Sequence, residues 1–149
     1  MEEQIVTCTS VGVYKYALTR GKAYKVVDQD ADKYRIIGDH GRRIWISKGY
    51  FETGEVPVMQ MIDWKFDDDI MEWNIVEVTI SFNNGSRRWC NMTTPDKLVE
   101  HFNHSMMDPP GMYIDNLIIM KSLDIDDVEQ TLRYLDSQGE LVGASRFLG

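Results

Sequence analysis

The sequence predicts an α+β protein: a small β-barrel over residues 1–54, then a mostly antiparallel sheet with two helices on one face over residues 55–149. Three observations carry this. The first third holds short β-prone runs separated by turn residues. Residues 74–82 alternate apolar and polar, and Asn84-Gly85 follows between β-patterned runs, the strongest short-range hairpin signal. Two later stretches have helical spacing with starts and stops of the right chemistry.

In the first third, residues 4–9 and 11–16 supply one or two strands around Gly12. Residues 23–27 are a further strand, 28–32 a polar loop, and 34–37 the next strand. Asp39-His40-Gly41 tolerates the left-handed backbone a hairpin needs, and residues 43–47 return. Five short strands in so few residues suggest a small barrel.

The pattern Leu18-Thr-x-Gly-Lys-x-Tyr24, a polar loop, Tyr34-Arg-Ile-Ile, then Ile44-Trp-Ile-Ser-Lys-Gly-Tyr50-Phe51 resembles an SH3-like barrel over about residues 5–53. The resemblance implies a diverging turn before the second strand and a one-turn helix ending at Tyr50. It also raises the family's proline-peptide groove, for which Tyr14, Tyr16, Tyr34 and Tyr50 are the available aromatics. Against a groove, almost no room remains between Tyr16 and Leu18 for the flanking acidic loop. The tandem tryptophan is absent, and Ser47 stands where a groove proline is expected. The closer similarity is to the short-looped bacterial barrel used for docking or stabilisation, with Trp45 and Phe51 as core and interface residues.

Residues 53–59, with Gly54 and Pro57, read as the boundary. Beyond it, residues 58–66 alternate toward Asp67, Asp68 and Asp69. In residues 74–82, Val76, Val78, Ile80 and Phe82 share one face, and Glu77, Thr79 and Ser81 the other. Residues 87–92 return. A helix starts at Thr94-Pro95-Asp96, a capping threonine before proline at the first helical position, with Leu98, Val99 and Phe102 as its buried face. Pro109-Pro110-Gly111 stops the chain, residues 113–120 form a buried strand, and Asp124 or Asp126 caps a second helix. Ile125, Val128, Leu132 and Leu135 form its stripe, Gly139 is its C-terminal glycine, and residues 140–148 return as an edge strand.

Composition narrows the function. Of 149 residues, 43% are hydrophobic and 27% charged, which suits a folded chain and not a disordered one. No apolar run approaches the roughly 20 residues that span a bilayer, and the acidic start is unlike a signal peptide, so a cytosolic protein with no membrane partner is expected. Cys8 and Cys90 then read as buried thiols, not a disulfide. Residues 1–55 hold nine Lys/Arg against eight Asp/Glu, and residues 56–149 hold seven against sixteen. A strongly acidic second part repels phosphate backbones, so no direct nucleic-acid partner is expected, and it suits a partner with a basic surface.

Chemistry is thin. His101 and His104, with Asp108 beyond, share a helix face as metal ligands could, but solvated polar residues at a helix end are the better reading. Asp67, Asp68, Asp69 and Glu72 lack the alternate spacing and central glycine of a calcium loop. Asp63 with Glu77 falls short of a metal-nuclease pattern because Thr79 stands where a lysine is required. No phosphate loop or nucleophile elbow occurs, and no cofactor or metal is expected. What remains is aromatic and acidic material together: Trp64, Phe66, Asp67, Asp68, Asp69, Met71, Glu72 and Trp73.

The expectation is therefore a non-catalytic acidic binding protein, an inhibitor that covers a basic site on a partner protein. It meets that partner through Trp64, Asp67, Asp68, Asp69, Glu72 and Trp73. In size, charge and organisation it resembles small bacterial or phage immunity and anti-defence proteins, although no motif carries that similarity. One alternative is a module that sequesters an anionic small molecule or nucleotide through Arg42, Arg43, Arg87 and Arg88. Another is a small hydrolase with its site in the α+β part.

Overall fold

The computed structural model describes residues 3–104 and 108–149, and among them ten strands form two sheets in two compact units. The first unit runs to Met59 and takes in Ser137–Gly139; the second comprises Gln60–Asp136 and Glu140–Gly149. The architecture is α+β and mostly antiparallel.

The first unit contains β1 (Ile5–Cys8), β2 (Ala23–Gln29), β3 (Lys33–Ile37), β4 (Arg43–Ser47) and β5 (Phe51–Thr53), in sheet order β4-β3-β2-β1-β5. A 3-10 turn, Lys48–Tyr50, joins β4 to β5. All pairings are antiparallel. Among the described residues none joins β4 to β5, so the sheet is not a closed barrel. Its core is Val6, Cys8, Leu18, Tyr24, Tyr34, Ile36, Ile46 and Phe51, and both tyrosines meet Phe51 edge-on.

Of the one or two strands expected around Gly12, one forms, β1, and residues 11–16 make none. Gly12 has φ of 54°, and a Cβ there would lie 2.8 Å from the Tyr50 ring, so the glycine is what lets Tyr50 approach. Successive turns follow, with the Tyr14 amide on the Val11 carbonyl and the Ala17 and Leu18 amides on the Tyr14 carbonyl.

Asp39 ties this turn region to the β3–β4 connection. Its carboxylate accepts from Thr19 Oγ1 (2.7 Å), Lys22 Nζ (2.7 Å) and the Tyr24 hydroxyl (3.0 Å), and its amide donates to the Ala17 carbonyl. Partial burial opposes its ionisation, but those three bonds outweigh it and hold the pKa below the ordinary 3.8. Desolvation pushes the Tyr24 phenol up to about 12.

The second unit contains β6 (Met61–Phe66), β7 (Val76–Phe82), β8 (Arg87–Thr93), α1 (Pro95–His104), β9 (Leu117–Ile119), α2 (Ile125–Ser137, its last residue counted with the first unit) and β10 (Arg146–Phe147). The sheet order is β10-β8-β7-β6, and β9 runs parallel to the far half of β8. Val76, Val78, Ile80 and Phe82 are all buried, as alternation requires. Thr79 on the opposite face is buried too. Gly85 closes the hairpin with φ of 83°. Thr94 Oγ1 accepts from the Lys97 amide at the start of α1.

Four expectations of the second part need correction. None of the described α1 residues is buried: Val99 is 58% and Phe102 43% exposed, and Leu98 is only half-buried. Periodicity locates an apolar stripe but does not supply something to cover it. Tyr113 is 88% exposed, and the strand expected over 113–120 shrinks to Leu117–Ile119, because Asn116 adopts φ of 55°. In α2, Val128 and Leu132 are buried but Ile125 is exposed. The edge strand expected over 140–148 is limited to Arg146–Phe147.

Two measurements check this packing. Ile80→Ala should destabilise the second unit by about 2–5 kcal/mol in urea unfolding, whereas Val99→Ala should stay within about 0.5 kcal/mol. Because the folded pKa of Asp39 is depressed, its bonds act fully above pH 3.8 and fade as pH falls through the lower folded value. Acid unfolding of wild type and Asp39→Asn should therefore differ clearly at pH 6 and converge toward pH 2.

Candidate functional site

β6 ends its sheet, with β7 on one side and no further strand among the described residues on the other. The Asp67 amide donates to the Glu77 carbonyl at 2.9 Å, which puts the Asp67 backbone groups on the β7 side. With the register Trp64↔Ile80, Lys65↔Thr79 and Phe66↔Val78, pairing alternates, so Lys65 bonds to Thr79. The backbone N–H and C=O groups of Trp64 and Phe66 consequently point away from β7, to the open edge.

Their side chains share the face of buried Ile80 and Val78. The two rings meet edge-on, with centroids 5.1 Å apart. Trp64 Nε1 donates to Glu129 Oε2 of α2, and Glu129 Oε1 accepts from Arg133 Nε at 2.8 Å. The Arg133 bond first, then the Trp64 bond, hold the Glu129 carboxyl below its ordinary 4.5. At the other end of β6, Arg133 Nη1 donates to the Met61 carbonyl and Asp136 Oδ2 accepts from the Met61 amide. A groove of about 340 Å³ runs between β6 and α2, lined by Asp63, Trp64, Lys65, Phe66, Ile125 and Glu129.

The chain from β6 to β7 is ordered by its own aspartates. Asp67 Oδ2 accepts from Thr79 Oγ1 (2.6 Å), Asp68 Oδ2 from the Glu77 amide (2.8 Å), and Asp69 Oδ1 from the Met71 amide (2.8 Å). The Asp69 carbonyl takes the Glu72 and Trp73 amides, and Lys97 Nζ binds the Ile70 carbonyl at 2.7 Å. This fold of the loop leaves Met71 85% and Trp73 58% exposed. Glu72 is exposed as well. The structure thus brings Trp64, Asp67, Asp68, Asp69, Glu72 and Trp73 onto one strand and the loop after it. Trp64 leans on α2, and Trp73 stands in solvent.

The arginines divide between the units: Arg42 and Arg43 in the first, Arg87 and Arg88 in the second. Arg88 is already engaged, donating from Nε to Ser145 Oγ (2.8 Å) and from Nη2 to the carbonyls of Val142 and Ser145. Arg42, Arg43 and Arg87 are exposed. In the first unit Tyr34 is buried in the core and Tyr14 meets Tyr50 edge-on, while Trp45 lies exposed beneath the Arg35 guanidinium at 5.8 Å.

His101 is half-buried and His104 exposed at the end of α1. Among the described residues, no three His, Cys, Asp or Glu side chains are grouped to hold a metal ion, and no helix is long and apolar enough to cross a membrane. Cys8 and Cys90 are free and buried, and desolvation pushes their thiols up to about 11 and about 12. Both are protonated at neutral pH and poor nucleophiles.

Sequence reasoning did not assign Asp63, Lys65, Phe66, Ile125 or Glu129 to a site. The i,i+4 spacing of Glu129 and Arg133 was a readable pair. Its link to Trp64, 65 residues away in sequence, had no local signal.

The Trp64–Glu129 bond can be followed directly. In an acid titration the Trp64 indole N–H resonance should move with a midpoint below 4.5, and Glu129→Gln should abolish that transition. An indole resonance that stays fixed to pH 2 in the folded protein would contradict the bond. No protein-family model, curated protein or solved structure matches the chain.

Proposed function

We propose that the chain is a non-catalytic acidic binding protein, an inhibitor of the immunity or anti-defence kind, which covers a basic site on a partner protein in the cytosol. The observation that carries this reading is the β6–β7 loop. Exposed Met71 and Trp73 are presented beside Asp67, Asp68, Asp69 and Glu72 on a backbone ordered by hydrogen bonds. Aromatic and methionine side chains anchor interfaces by burial on contact, and surrounding charge speeds encounter with a surface of opposite sign. Seven Lys/Arg against sixteen Asp/Glu beyond residue 55 supply that sign. Buried free thiols at Cys8 and Cys90 suit a reducing compartment.

The first unit is read as an SH3-like docking or stabilising half. Support comes from the strand order β4-β3-β2-β1-β5 and from the 3-10 turn ahead of the last strand. The anion-sequestering alternative is weakened because Arg88 serves the C-terminal turn.

The test is capture of a stoichiometric partner from the native cell, followed by binding kinetics on the purified pair. Asp69→Asn with Glu72→Gln preserves the Asp69 turn acceptor while removing charge. It should slow association, by more at low salt than at high, since exposed charges are screened over ~10 Å at 0.1 M. Trp73→Ala should instead speed dissociation, by about 2 kcal/mol or more if the indole is an anchor. A partner whose binding ignores both changes would sink the reading.

A further inference from the structure

We infer that the open edge of β6 is a docking site for an extended basic–aliphatic segment of a partner protein, which adds to the sheet as a further strand. This deepens the binding reading above and rests on it.

Four consecutive strand residues, Asp63, Trp64, Lys65 and Phe66, line a single groove with Ile125 and Glu129. Successive side chains of a strand point to opposite faces, so a depression bordered by all four follows the β6 backbone, and β6 is the last strand of its sheet among the described residues. The hydrogen-bond phase leaves the N–H and C=O groups of Trp64 and Phe66 on that outer edge.

The edge is open over a limited length. At Met61 both backbone groups are taken by Arg133 and Asp136, and at Asp67 the chain turns away into the loop. An incoming strand accordingly pairs over Trp64 and Phe66 and stops. Main-chain bonds of this kind give affinity without sequence, and the flanking side chains then select the occupant. On the α2 side, exposed Ile125 offers aliphatic contact beside the Trp64 and Phe66 rings. On the opposite face Asp63 is exposed, and the Asp67–Asp69 carboxylates follow at the end of the strand. Among the described lining residues Lys65 is the one cation, and Arg133 beside the groove is paired with Glu129. Aliphatic residues toward α2 alternating with lysine or arginine toward the acids match this arrangement. An acidic segment does not.

The experiment uses the full chain, labelled with ¹⁵N, and four blocked hexapeptides: one alternating valine and lysine, one alternating valine and glutamate, and two versions of the first N-methylated at alternate residues, one in each phase. The valine–lysine peptide should shift the Trp64 and Phe66 amide resonances and slow their hydrogen exchange. The valine–glutamate peptide should leave them unchanged. Methylation in one phase should weaken binding about tenfold or more, the equivalent of about 1.4 kcal/mol, and in the other phase should matter little, because one edge uses only alternate peptide amides. Ile125→Ala should weaken the same peptide while the amide spectrum of the second unit otherwise stays in place.

Unchanged Trp64 and Phe66 amides, equal effects of the two methylation phases, or equal binding of the glutamate peptide would each overturn the edge site. If the peptides fail while Asp69 and Glu72 still govern association with a captured partner, the edge site falls and the wider binding reading stands. If the peptides bind as described and no partner responds to the loop, the inhibitor reading falls instead.

Discussion

One hydrogen bond, from the Asp67 amide to the Glu77 carbonyl at 2.9 Å, sets the phase in which β6 meets β7. Because the side-chain period of a strand is two, a slip of one residue would reverse every consequence. Trp64 and Phe66 would leave the α2 face, Lys65 and Asp63 would enter it, and a different pair of backbone groups would face the open edge. The bond lies where strand becomes loop, and neighbouring bonds reinforce it. The Glu77 amide goes to the Asp68 carboxylate and the Thr79 hydroxyl to that of Asp67. A bulge between Met61 and Asp63 absorbs the remaining mismatch at the far end of β6. Register and loop are thus fixed by the same three acidic residues and their partners.

The first unit depends on a different kind of constraint, the close approach of a ring to a backbone. Tyr50 packs over Gly12 at a distance no Cβ would permit, and the chain responds with turns in place of a strand. Asp39 then gathers Thr19, Lys22 and Tyr24 from the following segment. Here a charged pair, Lys22 with Asp39, is half-exposed and contributes modestly as an ion pair. Its larger effect is geometric, since one carboxylate satisfies three donors from one short stretch of chain.

Much of this was legible in the sequence, and the failures have physical causes. Strict alternation marked β7, Asn84-Gly85 marked the hairpin, and the Thr94-Pro95 pair marked the start of α1, because each is a local preference acting on adjacent residues. The run 11–16 looked like a strand because its apolar and aromatic residues are β-prone, while the determining contact lies at Tyr50. Asn116 broke the strand expected over 113–120 by adopting a conformation that asparagine tolerates but does not announce. The aromatic and acidic cluster of the candidate site was visible as composition. Its α2 wall was not, because Ile125 and Glu129 reach Trp64 only through tertiary packing.

The double use of the loop aspartates bears on whether they still act on a partner. A carboxylate hydrogen-bonded to backbone amides or a hydroxyl meets neutral donors, which orient it without cancelling its charge. That is the situation of Asp67, Asp68 and Asp69. Glu129 and Asp39 differ, since Arg133 and Lys22 offset them. The three loop aspartates therefore still present their charge beside exposed Met71 and Trp73. For the proposed partner, ordering the loop beforehand lowers the conformational entropy lost on binding, which favours affinity without adding contacts. The structural role and the proposed recognition role consequently fall on the same loop: the Asp69 carbonyl takes the Trp73 amide while its carboxylate takes the Met71 amide.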